Sequence, residues 1–143
     1  ANQMKTKSAH EITLSSYALK ILKEQHMFKI IDSPFVFPAL NANGHLHRDT
    51  ISKAIRNLGG KNRYSGIATS HGFRATFRTI CSKNKAELLK LGITDEVIES
   101  VLAHKESNKV KYAYEREKAT IEQKAKLMQW YGDYLDRLES LFD

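Results

Sequence analysis

The most regular pattern of apolar and polar positions lies near the end of the chain. Between residues 119 and 142, apolar side chains recur at steps of three or four, at Ile121, Ala125, Met128, Tyr131, Leu135, Leu138 and Phe142. Such steps place side chains on one face of an α-helix, and Trp130 and Tyr134 widen that face. The pattern predicts a long amphipathic helix that packs on the core of its own chain or docks on a neighbouring subunit.

Shorter helices are predicted upstream from their capping residues. Ser15 or Ser16 can cap a helix with one buried apolar face, formed by Ala18, Leu19, Ile21 and Leu22. Asp49 or Thr50 can cap the helix of "ISKAIRNLGG", which the two glycines at its end would close. A further helix is predicted over residues 94 to 102, because it opens with a threonine followed by two acidic residues.

One short stretch has the alternation of a β-strand instead. Residues 10 to 14 place Ile12 and Leu14 between polar neighbours. A strand of this length needs a partner, and no second strand follows it in the sequence. We therefore expect the partner to lie upstream, and we interpret residues 1 to 143 as one domain excised from a longer protein. The predicted fold class is mainly α with a small remnant of β-structure.

Composition narrows the range of partners. The 143 residues carry a formal net charge of +7, which favours a polyanionic partner, with nucleic acid ahead of a membrane surface. No apolar run approaches the roughly 18 residues that a membrane span requires. The single cysteine, Cys81, cannot form an internal disulfide, as expected in a reducing cytoplasm. Its neighbours suggest a core residue rather than a nucleophile.

The stretch "SHGFRATFR", residues 70 to 78, suggests an anion-binding helix start. Thr69 or Ser70 can cap the helix, which would place His71 in its first turn and Arg74 on the same face. Free backbone N–H groups and the helix dipole favour an anion there, and the guanidinium of arginine matches two phosphate oxygens. Taken alone the pair is a weak motif, and an ordinary amphipathic helix is the alternative.

A second candidate segment is "VLAHKESNKVKYAYER", which contains His104. If residues 109 to 117 are helical, Tyr114 shares the face of Val110 and Ala113 and points toward the protein, whereas Tyr112 points toward solvent. A half-buried tyrosine is commonly a core residue bonded through its hydroxyl. Three lysines flank His104 and either contact a DNA backbone or form a solvated face: Lys105, Lys109 and Lys111.

Taken in order, "HGFRATFRT", "LAHKESNKVKYAY" and "LMQWYGDYLD" resemble the catalytic domain of tyrosine recombinases, in the branch of phage and prophage integrases. The upstream "MKTKSAHEITLS" resembles the lysine-bearing β-hairpin of that family. The resemblance covers essentially the whole chain. It implies the tyrosine-recombinase catalytic-core fold with a small remnant hairpin, truncated at its N-terminus, and it implies DNA integration by strand breakage and rejoining.

The resemblance also implies roles for individual residues. Tyr114 would be the nucleophile that forms a 3′-phosphotyrosine, and Lys5 would protonate the leaving oxygen. The family's phosphate-contacting groups match His71, Arg74 and His104. Lys7 is a rival to Lys5 and, with Lys105 and Lys109, a candidate DNA contact. Neither a cofactor nor a metal is implied.

The implied partners are double-stranded DNA attachment sites, bound by a homotetramer in the cytoplasm of a bacterial host, at the nucleoid. No membrane is implied.

The chain departs from the family pattern in three ways. The family's first catalytic arginine lies upstream of the hairpin, and no arginine precedes Arg48 here, so we expect the isolated chain to be inactive. Ala103 stands where glycine is commoner, and Tyr112 could compete with Tyr114.

A DNA-binding module without chemistry is the main alternative. A metal-dependent phosphodiesterase lacks clustered carboxylates, and His45 with His47 suggests an exposed loop more than a metal pair.

Overall fold

The computed structural model describes residues 10–29, 32–102 and 119–141, and these ranges are mainly helical. They contain six helices: α1 (Ser16–Met27), α2 (Thr50–Asn57), α3 (Gly72–Lys83), α4 (Lys85–Lys90), α5 (Asp95–Leu102) and α6 (Ile121–Glu139). The chain divides into two compact units. We call residues 20–83 the central unit and residues 1–19 with 84–143 the terminal unit.

The core of the terminal unit lies between α4, α5 and α6. Leu88 and Ile93 are 1% exposed and Leu127 is fully buried, and α5 packs directly on α6. Each such side chain contributes roughly 1.5–3 kcal/mol when it leaves water. Trp130 adds a directional contact, because its indole N–H donates to Glu87 Oε1 at 2.8 Å. The apolar residues of these three helices therefore hold the terminal unit together.

Helix α6 confirms the predicted C-terminal helix, but its buried face is offset from the predicted one. Its most buried apolar side chains are Leu127 and Trp130, whereas Ile121 is 56% exposed and Leu138 37% exposed. The indole bond to Glu87 and the close packing of Ser15 on Gly132 fix this rotation. Periodicity thus predicted the helix, which is shorter at 19 residues than the stretch from 119 to 142, whereas tertiary contacts decide which of its faces is buried.

The strand predicted for residues 10 to 14 is wrong, because this segment is irregular and carries no ladder. It is held instead by a side chain, with His10 Nε2 donating to the carbonyl of Val101 at 3.1 Å. The first arm of the expected hairpin lies outside the described residues. The described ranges contain only an isolated antiparallel bridge, between Pro38 and His45.

Helix α1 begins where a serine cap was predicted, since Ser15 Oγ accepts a hydrogen bond from the Ala18 N–H at 3.1 Å. The predicted buried face is wrong. No residue of α1 is buried, and Leu19 and Ile21 are 42% and 49% exposed. Positions two apart on a helix do not face the same side, so these two side chains cannot enter one core together.

The central unit contains residues 20–27 of α1 together with α2, α3 and the loops between these helices. Asp49 precedes α2 at its N-terminus without a side-chain capping bond. Beyond the C-terminus of α2, Gly59 and Gly60 have φ angles of 69° and 145°, which side-chain-bearing residues rarely adopt. The two glycines end the helix as predicted. The following loop leads to α3, which carries the candidate site.

Candidate functional site

The start of α3 is built around a threonine cap. Thr69 Oγ1 accepts a hydrogen bond from the Gly72 N–H at 3.0 Å, so Thr69 rather than Ser70 is the capping residue. A Cβ on Gly72 would lie 3.2 Å from that oxygen, so glycine leaves room for a tight cap. The helix begins at Gly72, and His71 therefore immediately precedes it instead of lying within its first turn.

His71 and Arg74 nevertheless belong to one turn of backbone. The His71 carbonyl accepts a hydrogen bond from the Arg74 N–H at 3.1 Å. His71 is exposed and Arg74 is half-buried. An imidazole, a guanidinium and the positive end of a helix can together bind a phosphate-sized anion. His71 and Arg74 are thus joined through the backbone at the start of α3, and their roles in binding an anion stay predictions.

A contact that the sequence did not predict joins this turn to α2. The hydroxyl oxygens of Ser52 and Ser70 lie 2.7 Å apart. One helical turn further along α2, the Arg56 carbonyl accepts a hydrogen bond from the Tyr64 N–H at 3.0 Å. The only sequence signal is that Ser52 and Arg56 are four residues apart and share a helix face, which says nothing about the loop they contact.

The positive charge of the chain is concentrated in the unit that holds this turn. The central unit has eleven lysines and arginines against three acidic residues, a formal charge of +8. The terminal unit has twelve against thirteen, a formal charge of −1. These charges add to the +7 of the whole chain. A polyanion would therefore be attracted to the central unit.

The remaining predicted site residues lie outside the described ranges. They are Lys5, Lys7, His104, Lys105, Lys109 and Tyr114, together with the rival Tyr112. The structure shows the backbone bond between His71 and Arg74, and the functional roles of all these residues stay predictions.

Cys81 is a core residue, as predicted. Its side chain is fully buried, and burial raises the pKa of its thiol to about 11, although the nearby Arg78 lowers it. The thiolate is the reactive form of cysteine, so Cys81 is a poor nucleophile near neutral pH.

The two histidines of the "HLH" loop make local contacts. His45 Nδ1 donates to the Leu46 carbonyl at 2.8 Å, and His47 Nδ1 accepts from the Asp49 N–H at 3.3 Å. In the part of the chain that the structure describes, no three His, Cys, Asp or Glu side chains are grouped to hold a metal ion. The same part contains no helix that is long and apolar enough to cross a bilayer.

Together these features define a mainly helical chain with a basic central unit and a candidate anion-binding turn at the start of α3. The profile of the phage integrase family matches residues 2–120, and the chain belongs to that family. It is 31% identical to prophage integrase IntA of Escherichia coli K12 over 98% of this chain and 31% of that protein. The integrase of Enterobacteria phage P4 is 29% identical over 93% of this chain and 28% of that protein.

Prophage integrase IntZ of Escherichia coli K12 is 30% identical over 96% of the chain and 31% of its own length. The chain thus spans about a third of the length of these relatives. No solved structure matches it.

Proposed function

We propose that this chain is the catalytic domain of a tyrosine recombinase that integrates DNA by site-specific strand breakage and rejoining. The observation that carries the proposal is the turn that joins His71 to Arg74 at the start of α3, in the unit with a charge of +8. Membership of the phage integrase family supports the same reaction class. Several relatives are named integrases, among them that of Enterobacteria phage P4.

In the proposed reaction the Tyr114 hydroxyl releases its proton to solvent, and its oxygen attacks the scissile phosphorus. A bond forms between that oxygen and phosphorus, and the bond from phosphorus to the 5′-oxygen breaks. Lys5 supplies a proton to the departing oxygen, which leaves as a 5′-hydroxyl. His71, Arg74 and His104 donate to the phosphoryl oxygens as charge builds on them, which is where preorganised donors lower the barrier most.

Rejoining reverses these steps with the 5′-hydroxyl of a second strand. The energy of the phosphodiester is kept in the bond between protein and DNA, so the proposed reaction consumes neither a nucleotide cofactor nor a metal ion. Lys7, Lys105 and Lys109 would contact the DNA backbone. The proposed assembly is a homotetramer on paired attachment sites at the nucleoid of a bacterial host.

We also propose that the active enzyme contains sequence upstream of this chain, including the family's first catalytic arginine. An arginine on the phosphate supplies a large share of transition-state stabilisation. The 143-residue chain should therefore cleave DNA poorly by itself. Strong phosphotyrosine formation by the isolated chain would contradict this part of the proposal.

The test uses the complete gene product that contains this chain and a suicide DNA substrate carrying its attachment site, with a chelator present. The expected result is a covalent complex that resists denaturant, is lost in Tyr114→Phe and persists in Tyr112→Phe. The tyrosine pair provides a matched control, because both substitutions remove one phenolic hydroxyl in the same segment.

Two other outcomes would overturn parts of the proposal. A complex that survives in Tyr114→Phe but not in Tyr112→Phe would assign the nucleophile to Tyr112. If the wild-type protein binds the site yet forms no complex, the chain acts as a DNA-binding module without chemistry.

A further inference from the structure

One face of α2 holds the loop that leads to the candidate site. Ser52 and Arg56 are one helical turn apart, and each makes a hydrogen bond to that loop. The hydroxyls of Ser52 and Ser70 lie 2.7 Å apart, and the Arg56 carbonyl accepts from the Tyr64 N–H at 3.0 Å. Residues 58 to 70 are therefore attached to α2 in their middle and at their end.

The second attachment lies next to the anion-binding turn. Ser70 is the residue before His71, and its other neighbour, Thr69, caps α3 through the Gly72 N–H at 3.0 Å. The backbone of His71 is thus fixed from both sides: by α2 through Ser70, and by α3 through the bond from the Arg74 N–H at 3.1 Å. A shift of Ser70 would move the imidazole and the guanidinium relative to any bound phosphate.

We propose that Ser52 is a positioning residue for the phosphate site and acts through the hydroxyl of Ser70. This inference rests on the proposed recombinase function and adds a residue to the same site. Catalytic groups must be held within about 0.5 Å of their productive geometry by the residues that support them. A displacement of about 1 Å can lower a rate on the order of a hundredfold. Ser52 supplies that support from a different helix.

The primary test is Ser52→Ala in the complete gene product, measured as the rate of covalent complex formation at saturating DNA. We expect this rate to fall about tenfold, less than the roughly hundredfold loss of a full 1 Å displacement, because the other contacts of the loop remain. DNA affinity should change little. Alanine favours helix formation, so α2 should remain intact.

Two controls accompany this variant. Ser52→Thr keeps a hydroxyl and should restore most of the rate. Ser82→Ala makes the same chemical change at an exposed position of α3 and should behave as wild type.

A double-mutant cycle with Ser70→Ala tests whether the two hydroxyls act as one unit. If Ser52 acts only through Ser70, the double variant should be no slower than Ser70→Ala alone. Losses that multiply would overturn the inference, because Ser52 would then act by another route. A Ser52→Ala protein that cleaves at the wild-type rate, or that loses only DNA affinity, would overturn it as well.

The wild-type reaction separates failure of this inference from failure of the proposed function. If the wild-type protein forms the covalent complex and Ser52→Ala matches it, only the positioning role is lost. If the wild-type protein forms none, the recombinase function and the positioning role fall together. Thermal unfolding of Ser52→Ala completes the test, since a slow variant that unfolds at a much lower temperature would show a structural role and contradict the proposal.

Discussion

Gly132 is the residue at which α6 passes close to the start of α1. A Cβ at this position would lie 2.5 Å from Ser15 Oγ and 2.6 Å from Ser15 Cβ, distances that neither atom can tolerate. Both residues are buried, and Ser15 is held in place because it caps α1 through the Ala18 N–H at 3.1 Å. The absence of a side chain at Gly132 is therefore a packing requirement of the terminal unit.

Gly132→Ala should lower the free energy of unfolding by up to about 2 kcal/mol, measured by urea denaturation of this chain. Overpacking typically costs about 1–3 kcal/mol, and the better helix propensity of alanine returns roughly 1 kcal/mol. Ser15→Gly removes the clashing atoms and, at a helix cap, should cost only a few tenths of a kcal/mol. In that background Gly132→Ala should become neutral or stabilising. If the two substitutions are additive, the close approach does not limit stability.

The roles of single residues could be predicted from the sequence only where they depend on neighbours in the chain. Thr69 and Ser70 were both possible caps, and only the structure shows that Thr69 binds the Gly72 N–H. His71 and Arg74 were predicted to share a helix face because residues three apart on a helix are neighbours, and the structure shows the backbone bond between them with His71 just before α3. Ser52 could not be found in this way, since its contact with Ser70 joins residues 18 positions apart and depends on how the loop folds back.

At the scale of elements, α6 shows what a cap adds to periodicity. Thr120 Oγ1 accepts from the Gln123 N–H at 3.2 Å, and Gln123 Oε1 accepts from the Thr120 N–H at 3.1 Å. This reciprocal capping box satisfies two otherwise free backbone donors. Gln123 also donates to the Gly92 carbonyl at 3.1 Å, so the same residue ties the helix start to the turn after α4.

Thr120→Ala should lower the free energy of unfolding by about 1 kcal/mol, the usual cost of a lost N-cap side chain. Thr120→Ser retains the hydroxyl and is the matched control, with an expected change within a few tenths of a kcal/mol. Urea denaturation followed by circular dichroism measures both variants. Equal losses in the two variants would assign the effect to the threonine methyl group rather than to the capping bond.

The helices that sequence predicted best are those with strong end signals. The acidic start of α5 and the two glycines after α2 each marked a boundary to within a residue or two. Helix α4 was missed because its six residues, Lys85–Lys90, are too few for a periodic pattern. The strand over residues 10 to 14 was predicted from alternation alone, and no ladder forms in the described residues because strand pairing is a tertiary contact that alternation cannot supply.

At the scale of the whole molecule, the two units differ strongly in net charge, a difference that the overall composition does not reveal. The net charge of +7 was known from the sequence, but its division into +8 and −1 required the boundaries of the units. The turn with His71 and Arg74 lies in the positive unit, so under the proposed function the long-range attraction and this turn would act on the same partner. Binding of DNA should therefore depend on which lysines are removed and not only on how many.

This dependence can be measured as the salt sensitivity of the chain's binding to a short duplex of arbitrary sequence. Each neutralised phosphate contributes about −0.9 to the slope of log affinity against log salt concentration. Lys53→Gln, on α2 of the central unit, should weaken binding and reduce the magnitude of the slope by about 1. Lys126→Gln is the matched control, since Lys126 is exposed on α6 and pairs with Glu122 at 2.9 Å, and it should leave the slope unchanged. If both variants reduce the slope equally, net charge alone governs binding and the central unit is not the DNA-facing surface.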